Sequence, residues 1–536
     1  MSSRVLRRFI VVLLLFYLGL AAVWCTIQFG HVPPYGDTGE YIRLAGSLEV
    51  DGYRGILYPA ILALAGRWAG GLSFQPPALA MVGVQAFQIA MSVLCTAYLL
   101  QVMLAGRLVA LGVAAAGRLA LLAVLVALLT LDPLVSHFNL SIMTDGLAVS
   151  FSLAFCSALA DLARRRNAPA LAWAVLVAST IGMASLRVEK IWVVIGTCVL
   201  SWLAWKAQGR RAAGDRAVDV ARRVLPALVC TVCLCVATQL GRSLVFQDLG
   251  RWSPLETAIH FRVIFHEMEA IYDDLPDHVR ARLSREDAAW YDRRIHHTWE
   301  VIDKVTNKDP EDRAQLTREL ARVAIRERWP SIGARTISAF VENLFATPSF
   351  YIRVAVWKWQ GQGDRWLFDF FEGNPWVYRN LALYSPRLSA ALVTLSAAVL
   401  VAASLLAALW CRSRRGRGAV ALRAEVIPVD AIPFAAFLLC NNLLFALTTG
   451  GIFVRYTVFS HVLILLVMYV GALLCLLEAS LRDHGRVGGA AFTGISQEGK
   501  WRRGWDSNPR SLSGHTISSR APSTGLGHLS VWKEAD

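Results

Sequence analysis

A short polar loop near the N-terminus carries the residues whose types and spacing could do chemistry. It covers residues 35–41, contains Asp37 and Glu40, and follows the first long apolar segment directly. A carboxylate in such a loop can act as a general base toward a hydroxyl or amine. Asp37 and Glu40 also have the spacing of a helix capping box, which would make Asp37 the cap of a helix over 38–47. Both roles stay open, and they are compatible.

Further polar residues lie at the ends of apolar segments. They are Asp145, Arg187, Glu189, Arg455 and Tyr456. Ionisable groups at membrane depth are costly, so they indicate functional sites. Structural explanations exist as well. Asp145 could cap a helix, and Arg187 could form an ion pair with Glu189. Arg455 could extend its charged end to the lipid headgroups.

The composition requires lipid as the main solvent. Hydrophobic residues make up 55% of the 536 residues and charged residues only 17%, with a mean hydropathy of +0.46. In soluble domains about a quarter of the residues are charged. The net charge of +15 lies in short arginine clusters between apolar runs, a distribution that fixes membrane orientation. No nucleic-acid motif is present, so nucleic acid is excluded as a partner.

Apolar segments long enough to span a bilayer, which takes about 20 helical residues, recur along the chain. They cover residues 9–29, 78–102, 108–131, 143–163, 169–187, 189–206, 222–241, 388–411, 427–449 and 452–478. The first is longer than a signal-peptide core and predicts a retained anchor. The expected fold class is an all-α polytopic membrane protein with about ten transmembrane helices and two large outer loops.

The arginine clusters follow every second predicted span. They lie at 107, 164–166, 206–223 and 412–417, whereas the connections 132–142 and around 450 contain no Lys or Arg. The positive-inside rule then predicts an inner or plasma membrane protein with a cytoplasmic N-terminus. All the candidate residues would share the periplasmic or extracellular face.

The predicted spans divide the chain into four parts. These are an N-terminal transmembrane module at 1–241 with an outer loop at 30–77, a large, mainly helical outer loop at 242–386, C-terminal transmembrane helices at 387–480, and a disordered tail at 481–536. Within the first loop, residues 61–68 predict a helix on the membrane surface. The tail is rich in Gly, Ser, Arg and Pro, and it resembles a gene model extended past the end of a reading frame.

The first loop resembles that of the GT-C fold glycosyltransferases. This family includes the protein O-mannosyltransferases, the lipid A aminoarabinose transferase and related bacterial enzymes. The matching residues are Asp37, Tyr41, Ala45, Leu48, Gly52, Arg54, Tyr58 and Pro59, then Thr144-Asp145, Leu186 to Glu189, 324–330 and Arg455-Tyr456. The resemblance covers roughly residues 1–480. Val188 departs from it, because relatives tend to have proline there, and the large outer loop matches no particular subfamily.

The resemblance implies an inverting transfer of a sugar from a polyprenyl-phosphate carrier to a glycan, lipid or protein acceptor on the outer face, next to membrane lipids. Phosphate leaves without a proton, so one carboxylate suffices as base, and Asp37 is assigned that role. Asp145 is a second catalytic acid that orients the acceptor or shares a metal with Asp37. No cofactor is certain, and a divalent cation is a further option.

A cation in a low-dielectric site would stabilise the negative charge that develops on the departing phosphate. Arg54, Arg187 and Arg455 are the candidates, with Lys190 a weaker one, because a guanidinium grips phosphate at two points. Tyr58, Glu189 and Tyr456 complete the predicted set that binds lipid phosphate or sugar.

Two other classes of protein fit the composition. A transporter or lipid flippase would place its polar residues near the bilayer midplane, often within inverted repeats. This chain shows no internal repeat, and its candidate residues lie at one end of the spans, which favours the transferase. The third class is a non-catalytic scaffold whose large outer loop binds a partner.

Overall fold

The computed structural model describes most of the chain up to residue 470. The described residues are 3–28, 36–47, 55–69, 78–110, 113–165, 169–187, 189–211, 216–246, 259–260, 263–293, 295–359, 430–448, 458–470 and the single positions 395, 398, 399, 402 and 406. Within them the chain is helical and has no β-strand. The predicted tail at 481–536 and most of the predicted span 388–411 lie outside these residues.

The helices of the N-terminal half follow the predicted apolar segments. They are α1 (Ser3–Gln28), α2 (Gly36–Ser47), α3 (Leu57–Trp68), α4 (Ala78–Ala110), α5 (Ala115–Thr130), α6 (Pro133–Leu140), α7 (Asp145–Arg164), α8 (Ala170–Leu186), α9 (Lys190–Arg211) and α10 (Arg216–Phe246). After a 3₁₀ turn at Tyr272–Asp274 come α11 (Asp277–Arg280), α12 (Arg285–Arg293), α13 (Ile295–Thr306), α14 (Pro310–Trp359), α15 (Ile432–Thr448) and α16 (Val458–Val470).

Five of these helices contain stretches long and apolar enough to cross a membrane. The stretches are Arg8–Thr26, Ala80–Gly106, Asp145–Arg164, Lys190–Gln208 and Val220–Gly241. The pair α5 and α6, bent by 68°, adds a sixth if it forms one span. α8, α15 and α16 are apolar but shorter. The chain is thus an all-α membrane protein with five or six such spans in its described part, and the predicted count of ten stays a prediction.

The boundary between the second and third predicted spans differs from the sequence expectation. α4 continues to Ala110, past the predicted end at 102, and α5 begins at Ala115 after an extended Ala114. The guanidinium of Arg118 donates to the carbonyl of Val113 at 2.9 Å. This charged side chain, which lies inside the predicted third span, is therefore hydrogen-bonded to the backbone just before α5. Residues 102–110 contain no proline and a single glycine, Gly106, whose cost of about 1 kcal/mol does not end the helix.

α7 is the central helix of the bundle, and nearly all its residues are buried. It packs against α4, α8, α10 and α15. Its serines do not leave polar groups unsatisfied, since Ser150, Ser152 and Ser157 each donate to the carbonyl four residues earlier, at 3.0, 2.6 and 2.6 Å. A helix of this length places its two ends about 30 Å apart.

The two ends of α7 have different neighbours. At the C-terminal end Arg164 donates to the carbonyl of Val102 at 2.7 Å, and Arg223 donates to the carbonyl of Ala163 at 3.5 Å. The end of α4, the end of α7 and the start of α10 therefore meet at one end of the bundle, as the predicted alternation requires. Asp145 lies at the other end of α7. The orientation of either end relative to a membrane stays a prediction.

A separate small hydrophobic core lies in residues 263–324, and α14 leads from it to α15. Its buried side chains include Met268, Leu275, Tyr291 and Leu320. α14 is kinked at Arg328, which has φ −127° and ψ 18°. One long helix thus joins this core, called the loop module below, to the helical bundle.

Candidate active site

Asp145 is the first residue of α7, and its carboxylate pairs with Arg187. Nη2 of Arg187 lies 3.2 Å from Oδ1 and 3.4 Å from Oδ2 of Asp145, and both side chains are buried. The position N-terminal to α7 is occupied by Thr144, so Asp145 is not the helix cap that one interpretation of the sequence expected. The helix end brings a carboxylate and a guanidinium together.

Arg187 lies in the short extended connection between α8 and α9, with φ −149° and ψ 123°. Its Nε donates to the hydroxyl of Thr144 at 2.8 Å, and its Nη1 donates to Glu189 at 3.2 Å. The predicted ion pair between Arg187 and Glu189 is confirmed. Each nitrogen of the guanidinium therefore has an acceptor, as a buried cation requires.

α2 packs its first turn against the residues that precede α7. The hydroxyl of Thr38 donates to the carbonyl of Ile142 at 3.3 Å, and the hydroxyl of Tyr41 lies 3.4 Å from that of Thr144. Asp37 is the second residue of this helix, which begins at Gly36, two residues before the predicted start at Thr38. The Asp37 side chain is outside the described residues. The polar first loop and the Asp145 cluster nevertheless occupy neighbouring positions.

Tyr58 lies in α3, in the hydrophobic core beneath this loop. Its ring meets the ring of Tyr41 edge-on at 5.1 Å, and its hydroxyl donates to Gln88 at 3.4 Å. Burial raises the pKa of Tyr58 well above its ordinary value, and the nearby Tyr41 and Asp145 add to the rise. Tyr58 is fully buried, and its side chain helps to pack α2 onto α3 and α4.

Gly55 brings the first loop against the residues that precede Arg187. A Cβ at this position would lie 2.0 Å from the carbonyl oxygen of Ser185 and 2.5 Å from the carbonyl carbon of Leu186. Only glycine allows this approach. Gly55 had no predicted role, although a glycine next to a candidate arginine is a signal for close backbone contact. That arginine, Arg54, lies outside the described residues.

Lys190, the first residue of α9, reaches α15. Its Nζ donates to Oδ1 of Asn441 at 2.5 Å and lies 4.9 Å from the ring centroid of Phe445 and 5.8 Å from that of Phe437. Asn441 was missed from sequence. Its sequence did indicate a functional or structural polar site, since Asn441 and Asn442 are adjacent polar residues within an apolar helix.

A second buried polar group, also missed, surrounds Asp132. Its carboxylate caps α6 through the amides of Leu134 and Val135, at 3.0 and 3.2 Å. It also accepts from the hydroxyl of Tyr17 at 2.5 Å and lies 2.8 Å from Nε2 of His461. These contacts join α1, α6 and α16 inside the bundle. Asp132 is the one acidic residue of the predicted outer connection 132–142, and that was the signal available from sequence.

The remaining predicted residues are not brought together by what the structure describes. Arg455 and Tyr456 lie outside the described residues. Within the described part, no group of three His, Cys, Asp or Glu side chains is arranged to hold a metal ion. Because the Asp37 side chain is outside that part, a cation shared by Asp37 and Asp145 stays a prediction.

Comparison of the chain with protein-family models, with curated proteins and with solved structures found no match. The likeness to GT-C glycosyltransferases therefore rests on the sequence motifs alone. What the geometry adds is a buried acid and guanidinium at one end of the central helix, with the polar first loop against it.

Proposed function

We propose that this protein is an inverting glycosyltransferase that moves a sugar from a polyprenyl-phosphate carrier to an acceptor of the cell envelope. The observation that carries the proposal is the buried pair of Asp145 and Arg187, against which the first turn of α2 is packed. In this proposal the chain has about ten spans, a cytoplasmic N-terminus and its site on the outer face.

Asp37 is the base in this reaction. It takes the proton of the acceptor hydroxyl or amine, whose oxygen or nitrogen forms a bond to the anomeric carbon. The bond from that carbon to the phosphate oxygen breaks, and the phosphate leaves with the electron pair and needs no proton. Asp145 orients the acceptor, because Arg187 holds its carboxylate in one position. A divalent cation at these carboxylates is an option for stabilising the phosphate.

The test uses substitutions in the first turn of α2 and at the two ends of α7. Asp37→Asn should reduce sugar transfer by about 10²- to 10⁴-fold, the usual contribution of a general base. Asp145→Asn should also reduce transfer. Asp161→Asn is the matched control, since Asp161 is a buried acid of the same helix that pairs with Arg165 at 2.7 Å at the opposite end.

The substrates are identified first by deleting the gene and comparing envelope glycans and glycolipids by mass spectrometry. Transfer is then measured in membrane vesicles that contain equal amounts of each variant. Full activity of Asp37→Asn would remove Asp37 as the base, and an unchanged envelope after deletion would contradict the glycosyltransferase.

A transporter or lipid flippase is the second candidate, and one observation favours it. The Asp132, His461 and Tyr17 group is buried within the bundle, as in the proton relays of transporters. A cysteine replacing Asp37, in a background without other cysteines, would then react with membrane-impermeant thiol reagents from both sides. The glycosyltransferase predicts reaction from the outer side alone.

A further inference from the structure

The surface of the chain changes character along α14. Within the described part of residues 263–324, Trp290 is the one large apolar side chain that is exposed. Residues 325–341 of α14 contain four such side chains, each between 46% and 67% exposed, and they are Ile325, Trp329, Ile337 and Val341. A run of exposed apolar side chains of this kind marks a surface that contacts another molecule or a membrane.

The three side chains that follow the kink at Arg328 share one side of the helix. Trp329, Ile337 and Val341 fall within an arc of about 120°, because each residue advances the helix by about 100°. They form a surface that we call the α14 face. Ala339, two positions after Ile337, lies about 200° around the helix and is buried. α14 therefore turns one side toward the rest of the protein and the α14 face away from it.

The exposed side chains of residues 329–341 carry no charge. They are Trp329, Pro330, Ala334, Ile337, Ser338 and Val341. The one charged residue of this stretch is Arg335, whose guanidinium pairs with Glu267 and donates to the carbonyl of Phe265. A helix that faces water normally turns its charged and polar side outward. The α14 face has the opposite composition and fits an apolar medium.

Basic side chains come directly before the α14 face. Arg322 and Arg326 are exposed within the last two turns that precede Trp329. Arg326 pairs with Glu327 at 2.6 Å, and Arg322 adds a further positive charge. The order along the helix is therefore arginine, then tryptophan, then aliphatic side chains, and Val341 lies about 18 Å beyond Trp329. A helix that enters a bilayer meets phosphates, interface and hydrocarbon in the same order.

We propose that the α14 face lies in the interfacial layer of a lipid bilayer, with Arg322 and Arg326 next to the lipid phosphates. α9, which contains a stretch apolar enough to cross a membrane, exposes Trp192 and Leu203 in the same way. α14 packs against the apolar helix α15, so its exposed face continues the surface of the bundle. Membrane contact then begins at the kink in α14, well before the next span predicted from sequence. The inference does not depend on the proposed function.

The first test measures the depth of spin labels on the full-length protein in nanodiscs of phosphatidylcholine and phosphatidylglycerol. Ile337→Cys and Val341→Cys, each in a background without native cysteines, carry a nitroxide. Both nitroxides should lie about 5–10 Å below the phosphates and collide with oxygen more often than with a water-soluble nickel complex. Gln315→Cys is the matched control, because Gln315 is an exposed residue of the same helix before the kink. Its nitroxide should stay accessible to the nickel complex.

Two results of this test would overturn the inference. If the nickel complex reaches Ile337→Cys and Val341→Cys as readily as Gln315→Cys, the α14 face lies in water. If neither oxygen nor nickel reaches them, protein covers the face, either a second copy of the chain or another partner.

Photolabelling of the wild-type protein is the second test, and it needs no substitution. The nanodiscs contain a phosphatidylcholine with a diazirine in its acyl chain, and the adducts formed on illumination are mapped by peptide mass spectrometry. Residues 329–341 should carry adducts, as α9 should, whereas residues 285–293 of the loop module should not. Adducts on α9 with none in residues 329–341 would contradict the inference. Both tests give the same answer whether or not the chain transfers a sugar.

Discussion

Two buried charge clusters in this molecule have opposite composition. In the bundle, Arg187 lies between the carboxylates of Asp145 and Glu189. In the loop module, Glu267 accepts from Nε of Arg328 at 3.0 Å, pairs with Nη2 of Arg335 at 2.8 Å and accepts from the hydroxyl of Ser331 at 2.6 Å. One cluster is a cation with two acids, and the other is an acid with two cations.

The two clusters differ in how far their charged side chains are exposed to water. The Arg328 side chain is 47% exposed and that of Arg335 is 24% exposed, so water reaches both cations that pair with Glu267. Burial lowers the pKa of Arg335, while Glu267 and Asp292 oppose that shift. The Asp145 and Arg187 side chains are only 3% and 8% exposed. The ion pair of the bundle is therefore much less hydrated than the ion pairs of the loop module, and buried ionisable groups of this kind are typical of functional sites.

The clusters are also assembled differently. The three partners of Glu267 all come from α14, so one helix brings them together. The partners of Arg187 come from the start of α7 and from the connection between α8 and α9, and the first loop docks through Gly55 directly before Arg187. The bundle cluster should therefore be more sensitive than the loop cluster to changes at a distance.

Removing the central charge of the bundle cluster should have the largest effect on stability. Arg187→Met leaves two carboxylates without their cation and should lower the free energy of unfolding by about 3–5 kcal/mol. Arg328→Met should lower it by only about 0–1 kcal/mol, since Arg328 is half exposed and Arg335 stays paired. Denaturant unfolding of the purified variants in one detergent measures both values.

A triple variant serves as the control for Arg187→Met. Adding Asp145→Asn and Glu189→Gln removes the uncompensated charges and should recover much of the lost stability. Equal losses for Arg187→Met and Arg328→Met would show that the two clusters do not differ as described.

The docking of the first loop is tested at Gly55. Gly55→Ala places a methyl group against the backbone of Ser185 and Leu186 and should cost about 1–3 kcal/mol, because such overpacking must be relieved by a backbone shift. The shift should also reduce sugar transfer, since it moves the residues that precede Arg187. Gly46→Ala is the matched control: the position lies in α2 with no atom within 4 Å of an added Cβ. Unfolding and transfer are measured on both variants.

For Gly46→Ala we expect a small gain in stability of up to about 1 kcal/mol, from the higher helix propensity of alanine. If Gly55→Ala unfolds and transfers like Gly46→Ala, the close approach of the loop to α8 does not support the Arg187 cluster.

The smallest expected effect concerns an exposed pair of the loop module. Nε2 of His278 lies 2.9 Å from Glu319, and this hydrogen bond holds the pKa of Glu319 below its ordinary value. A carboxyl whose folded pKa is lowered stabilises the fold above the unfolded pKa of about 4.3, and it loses that contribution as pH falls through the folded value. Glu319→Gln should therefore be less stable than wild type by about 0.2–1 kcal/mol at pH 6. The difference should vanish in acid.

Hydrogen exchange of the amides in residues 263–324, followed by mass spectrometry, reports this local stability. His278→Gln should show the same dependence on pH as Glu319→Gln if the pair is responsible. A difference that persists below pH values of about 3 would mean that Glu319 acts through packing instead.

The apolar pattern was enough to predict most helices of the bundle. The predicted segments 143–163 and 189–206 correspond to α7 and α9, and the predicted helix at 61–68 is contained in α3, which starts earlier at Leu57. Hydropathy and helix propensity are properties of neighbouring residues, so they can be read without a fold. The ion pair of Arg187 and Glu189 was predictable for the same reason.

Only the tertiary structure decided which distant residues meet. Lys190 and Asn441 are 251 positions apart, and Asp132 and His461 are 329 apart. Such contacts depend on which helix ends pack together, and a hydropathy pattern carries no information about that. The sequence by itself determined that this chain forms apolar helices with polar residues at their ends. The packing of α7, α9 and α15 decided that Arg187 is matched by carboxylates while Lys190 faces an amide.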